Sequence, residues 1–307
     1  MDKFKVWVAA HKTIVLALVL ILLSGLGYLG FQKFTSQNNG PVEEVDLSFD
    51  SEGPFAILSP RRDGNALVLT LKRTASYDSI SYELAYTSLP EEVAMEGSKV
   101  KASAKPVAGG DSGDGGGTGG AIDRGVQGTI DTKDKKGEYE QEILFGTCSK
   151  NVCKYDKGVE NGTLVLHIKK GNKAYRMSTQ WHLQKPDVAL GLLTSGDAHL
   201  SYKIEASREE LSNIGFSITN DLTGVPKLPS GKVPVGKVYS LNVPIAKELK
   251  GGSVSLELAE TPSSDTKLYR YNNSKSEWQE LDTKVEGSKL SAKADGAGIF
   301  AVLSSKK

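Results

Sequence analysis

Leu164-Val165-Leu166-His167-Ile168, then Gly171-Asn172, then Tyr175-Arg176-Met177-Ser178-Thr179-Gln180-Trp181-His182-Leu183, decides the fold class. Apolar residues recur at every second position on both arms, the period of a strand with one buried face. A two-residue Gly171-Asn172 turn sets Lys170 opposite Lys173, so Ile168 faces Tyr175 and Leu166 faces Met177. The apolar faces of the two arms then coincide, as a register must wherever one face is buried. In the same register His167 faces Arg176, and His182 points outward further along. The stretch predicts a β-hairpin. Asn161-Gly162 before it reads as another turn, and with Thr163 it also matches a glycosylation acceptor.

The same period extends in both directions. Ala66-Leu67-Val68-Leu69-Thr70-Leu71 follows the turn signal Arg61-Arg62-Asp63-Gly64, and Ile80, Tyr82, Leu84 and Tyr86 alternate with Ser81, Glu83 and Ala85. Further strands are predicted at 198–204, 215–219, 237–243, 254–258, 268–271, 277–281, 290–294 and 299–303. Ser207 and Glu210 are spaced as a capping box for one helical turn. No long amphipathic helix interrupts this series. Short strands at such spacing predict an all-β protein with two tandem β-sandwich domains, at residues 45–186 and 187–307. The first is immunoglobulin- or fibronectin type III-like in strand count and alternation alone, and lacks the Cys…Trp…Cys spacing of true immunoglobulin domains. The glycine tract at 109–120 cannot repay the entropy of ordering itself, and it reads as a mobile insertion over about residues 97–126.

Residues 13–32 form a near-continuous apolar run without charge. About 20 helical residues cross the roughly 30 Å hydrocarbon core, so the run predicts a transmembrane helix. Lys3, Lys5 and Lys12 precede it and Lys33 alone follows closely, which places residues 1–12 in the cytoplasm and the C-terminal bulk outside. Residues 33–44 then form a spacer. A cleaved signal peptide is the alternative, although the run is long and Ser24-Gly25-Leu26-Gly27 offers only weak small-residue pairs. The 38 Lys and Arg balance 37 Asp and Glu; no basic excess marks a nucleic-acid surface, so membrane lipid is the first expected partner and nucleic acid is not one. Cys148 and Cys153, the only cysteines, are expected to form a disulfide across a tight loop in an oxidising compartment. Zinc would need further nearby ligands, and a redox pair usually has two intervening residues.

Val235-Gly236-Lys237-Val238-Tyr239-Ser240-Leu241, Leu268-Tyr269-Arg270-Tyr271, Trp278 with Leu281, and Gly298-Ile299-Phe300-Ala301-Val302 resemble the ZU5-like β module of bacterial surface proteins. The resemblance covers about residues 200–303. Its motifs are core-packing signatures, and it implies an interaction or spacer module.

The sequence offers no catalytic, cofactor or metal residues. No two histidines show metal-ligand spacing, no Gly-x-Ser-x-Gly elbow stands between strand and helix, and the glycine tract lacks Gly-Lys-Ser/Thr. Leu193-Thr194-Ser195-Gly196-Asp197 lacks the first glycine of such an elbow. Tyr269, Tyr271 and Trp278 are a candidate ligand platform for envelope glycan, although core packing and cross-strand pairing account for them better. The expected function is a membrane-anchored, extracytoplasmic binding, adhesion or scaffold protein without catalysis, with envelope glycan or protein as partner. A glycan hydrolase of the envelope and an accessory subunit of a membrane complex are the alternatives.

Overall fold

The computed structural model describes residues 44–47, 51–74, 76–90, 121–133, 137–150, 152–184, 191–205, 207, 215–244, 249 and 251–306. The expected membrane helix at 13–32, the spacer except Glu44, the glycine tract and the helical turn after Ser207 lie outside the described residues. Among the described residues every regular element is a strand, so this part of the chain is all-β and sandwich-like. In chain order the first half contains β1 (Glu44–Asp46), β2 (Phe55–Pro60), β3 (Ala66–Lys72), β4 (Ser79–Ser88), β5 (Ile122–Ile130), β6 (Glu138–Leu144), β7 (Gly146–Ser149), β8 (Val152–Tyr155), β9 (Asn161–Lys170) and β10 (Lys173–Gln184). The second half contains β11 (Leu192–Thr194), β12 (Leu200–Ile204), β13 (Phe216–Asn220), β14 (Lys232–Pro234), β15 (Tyr239–Asn242), β16 (Gly252–Glu257), β17 (Lys267–Asn272), β18 (Glu277–Glu280), β19 (Lys284–Glu286), β20 (Lys289–Ala294) and β21 (Gly298–Ser305).

The β9–β10 hairpin pairs in the predicted register: Lys170 opposes Lys173, Ile168 opposes Tyr175 and Leu166 opposes Met177. Two nearby expectations are corrected. Asn161 and Gly162 are the first residues of β9, opposite His182 and Trp181, rather than a turn. Residues 122–126, expected inside the mobile insertion, belong to β5, which pairs along the whole of β4.

One eleven-stranded sheet runs β18-β17-β21-β15-β13-β10-β9-β4-β5, with β1 on β10 and β14 on β21. Smaller sheets, β2-β3-β6 and β11-β12-β16-β20-β19, pack against it. The division expected at 186–187 falls in sequence between two hydrophobic cores, and the pairing of β10 with β13 carries the large sheet across it.

Register shows where those cores lie, because directly opposed residues in an antiparallel pair share a face. Trp181, in the first core, opposes Thr219, whereas His182 opposes Ile218, in the second core. The two cores therefore occupy opposite faces of the large sheet. The first is closed by Leu58, Leu67, Leu69 and Ile143, the second by Tyr202, Val254, Leu256 and Leu290. On the same face as Trp181, the row Thr219–Ser240–Ile299 leads to a third cluster, where Leu222 and Val225 cover Val238, Tyr269, Ala301 and Leu303. Between the first and third clusters lies a buried polar strip, Ser217, Thr219, Ser240 and Asn242. Strand β2 packs against β13 and β15 there, and Thr219 Oγ1 and Ser240 Oγ are 2.7 Å apart.

Candidate functional site

The first core covers only one face of β4, β9 and β10. Their other face is polar and forms the floor of a groove of about 420 Å³. Ala85 of β4 opposes Thr163 of β9, Thr163 opposes Gln180 of β10, and Gln180 opposes Asn220 of β13. These four positions thus form one row across four strands. Thr87, Asn161 and Asp123 flank the row, and the turn at Gly196 forms the far side of the groove.

Gly162 seats the Trp181 ring behind this floor, on the first-core face. A Cβ on Gly162 would lie 2.1 Å from the Ala85 carbonyl oxygen and 2.3 Å from the Trp181 ring. The ring atoms it would strike adjoin the indole nitrogen. Trp181 is 1% exposed and stacks on Phe145 with centroids 5.7 Å apart. Its Nε1–H has no hydrogen-bond partner, and neither has Asn220 Oδ1. Asn220 is otherwise held: Nδ2 donates to Gln180 Oε1 at 3.3 Å, and its carbonyl accepts from Thr179 Oγ1 at 2.7 Å. At the opposite end Tyr86 donates to Asp156 at 2.9 Å, and Arg124 lies 3.7 Å from the same carboxylate. Burial first, then the bond to Asp156, pushes the Tyr86 phenol up to about 12.

The Gly196 turn is fixed by charge and hydrogen bonds. Ser195 Oγ donates to Asp197 at 2.6 Å and accepts from the Leu200 amide at 3.0 Å. Lys237 Nζ bridges Asp197 at 3.2 Å and Asp221 at 2.8 Å, and Tyr239 donates to Asp197 at 3.1 Å. Burial alone would raise the Asp197 pKa, but the bonds from Ser195, the His199 amide, Lys237 and Tyr239 outweigh it, and the net direction is down. Lys237 is raised, chiefly by Asp221. Gln184 ties the same segment to β10, donating to the Leu192 carbonyl at 3.0 Å and accepting from the Thr194 amide at 2.9 Å. Ser195 is thus a turn-fixing residue.

The residues singled out from sequence lie elsewhere. Cys148 and Cys153 form a disulfide, directly opposed across the exposed β7–β8 hairpin. Tyr269 is 4% exposed within the third cluster, donates to Glu280, and is pushed up to about 12 by burial first and by that bond. Tyr271 and Trp278 oppose each other at 5.4 Å and are half-buried. They border an open hollow whose other side is Pro226, Leu228 and Pro229. Trp278 Nε1 donates to the Lys227 carbonyl at 3.0 Å, so this chain's own proline-containing segment occupies part of the aromatic surface.

His167 Nδ1 lies 2.8 Å from Glu44, and His182 Nδ1 lies 2.7 Å from Asn161 Oδ1. Among the described residues no three His, Cys, Asp or Glu side chains gather as metal ligands. A second hollow, about 430 Å³, contains Arg270, Asn272, Lys275 and Asp295. Arg270 is 6% exposed, and burial lowers its pKa. Its Nε and Nη2 donate to the Ala297 carbonyl at 3.0 and 2.8 Å, a clamp on the turn before β21.

Sequence reasoning did not find the groove. Thr163, Gln180 and Asn220 are ordinary outward residues of alternating strands. The available signal was Gly162: a glycine inside a strand marks a close approach of other atoms, and here those atoms belong to Trp181. No family model matches the chain, and no curated protein matches it.

Proposed function

We propose that this protein is a membrane-anchored, extracytoplasmic binding component, an adhesion or scaffold element that holds a rigid β body off the lipid surface. The observation that carries the reading is the groove above Gly162. Hydrogen-bonding side chains stand there on four paired strands, the rigid support that binding sites favour, and one buried polar atom at its floor, Asn220 Oδ1, is unpartnered. Placement outside the cytoplasm is supported by the Cys148–Cys153 disulfide, because such bonds persist in oxidising compartments. The two cores support a reading of the body as an immunoglobulin-like half followed by a ZU5-like half. Val238, Tyr239, Leu241, Leu268, Phe300 and Val302 of the quoted motifs are all buried.

Intact cells and detergent-solubilised envelopes test this together. Protease added outside the cells is expected to digest the body, and Cys148 and Cys153 are expected to resist alkylation until a reductant is added. The full-length protein captured from envelopes is expected to retain an envelope glycan or protein. Protection of the body from protease, together with freely alkylated cysteines, would place it on the wrong side.

A further inference from the structure

We propose that the groove over Gly162 binds a neutral polyhydroxylated ligand, a short uncharged glycan segment; this rests on the binding function proposed above and names its ligand class. The floor row presents the Thr163 hydroxyl and the Gln180 and Asn220 carboxamides in register. Thr87 and Asn161 stand beside it. Each of these side chains is uncharged and both donates and accepts hydrogen bonds. Adjacent strands are about 4.8 Å apart, so the row repeats at a spacing that successive hydroxyls of a sugar chain can follow. The Ala85 methyl lies in the same row, and it suits the C–H surface of a sugar ring.

One unpartnered atom on this face adds a constraint. Asn220 Oδ1 needs a donor, which an ionised carboxylate lacks, whereas a hydroxyl donates there and still accepts from its neighbours in the row. Asn220 Oδ1 is closed to solvent as the side chains stand, so binding includes a movement of the side chains over it. Charge points the same way. Lys237 near the turn is neutralised by Asp197 and Asp221, and Arg124 lies beside Asp156. Asp123 at the rim repels an anion. The volume falls in the small-ligand range of roughly 300–1,000 Å³.

The test uses the full-length protein in lipid nanodiscs, because a maltoside detergent would itself be a sugar probe. Probes are maltotetraose, tetra-N-acetylchitotetraose, tetragalacturonate and an end-blocked tetra-alanine. Binding is read by saturation-transfer NMR and by tryptophan emission. At least one neutral tetrasaccharide is expected to bind and to shift the emission. Thr163→Trp, which adds bulk on the open face, is expected to weaken it about tenfold or more without lowering the melting temperature. Asn220→Leu is expected to weaken it similarly; because Asn220 is buried, Thr163→Trp decides if that variant fails to fold. Binding of only the anion or only the peptide overturns the ligand class. Neutral binding that Thr163→Trp leaves unchanged overturns the site. If no probe binds at about 10 mM, ten times a millimolar dissociation constant, the inference fails. Capture of an envelope partner by the same protein would then show that the broader reading survives.

Discussion

Strands β4, β9 and β10 bury one face under β2, β3 and β6 and leave the other to form the groove, whereas β13, β15 and β21 are covered on both faces. The difference is visible residue by residue. Strand β4 alternates buried and more exposed positions along its length, while every residue of β13 and β15 is buried. A sheet covered on both sides has no solvent-facing row left for ligands. The open face persists only on the N-terminal half of the sheet, and it stops at Asn220, where the second core takes over the same side. The site therefore sits where one sheet passes from one-sided to two-sided burial.

Close approaches at this handover should give large effects. Gly162→Val drives a side chain into the Ala85 carbonyl and the Trp181 ring. Gly224→Val does the same to the Pro54 carbonyl, 2.1 Å from an added Cβ, and to the Met177 methyl at 2.9 Å. Each is expected to cost about 3 kcal/mol, the upper end for overpacking, measured from urea midpoints. A wild-type midpoint for Gly162→Val would mean that Trp181 is not held against β9 as described. Cavity variants then test how far the shared sheet couples the halves. Leu69→Ala in the first core and Leu256→Ala in the second each remove a buried side chain and should cost about 2–5 kcal/mol. Because β10 and β13 belong to one sheet, either variant is expected to lower amide protection in both cores. Loss confined to the mutated half would make them separate cooperative units.

Much of this contrast was legible in the sequence, in proportion to how local its cause is. The β9–β10 register followed from a two-residue turn and alternation, and it is the register in the structure. The eight strands expected in the second half lie within a few residues of their expected bounds, whereas the three-residue strands β11, β14 and β19 were not expected. The β10–β13 pairing was not legible, because nothing local to residues 180–184 specifies a partner more than thirty residues away. Without that pairing, neither the opposite-face arrangement of the cores nor the groove row can be derived. Tyr271 and Trp278 stood out by residue type, but their burial depends on the 226–229 segment, whose docking nothing local to them specifies. Lys237 and Arg270 lie between apolar residues of the strands they belong to, and both turn out to clamp turns.

The smallest expected effect concerns that Lys237 clamp, and it separates the groove's wall from its floor. The folded Asp197 pKa lies below its ordinary value near 3.9. Its contribution is therefore present above about pH 4 and is lost as pH falls through the lower folded value. Lys237 is shifted the other way, so its contribution is complete below its ordinary value near 10.4 and is lost as pH rises through the higher folded one. Between these limits the turn at Gly196 is held by ion pairs, while Thr163, Gln180 and Asn220 are held by uncharged contacts. The Lys237 side chain is 44% exposed, so solvent and salt screening keep the energy below about 1 kcal/mol. NMR should nevertheless resolve it. The Gly196 amide is expected to stay constant from about pH 5 to 9 and to shift on acidification below about 4, before the Gln180 and Asn220 side-chain amides move. Lys237→Met should displace Gly196 already at neutral pH while leaving the floor resonances in place. Floor and wall moving together in that variant would show that the ion pairs order the whole groove, and that the paired strands alone do not.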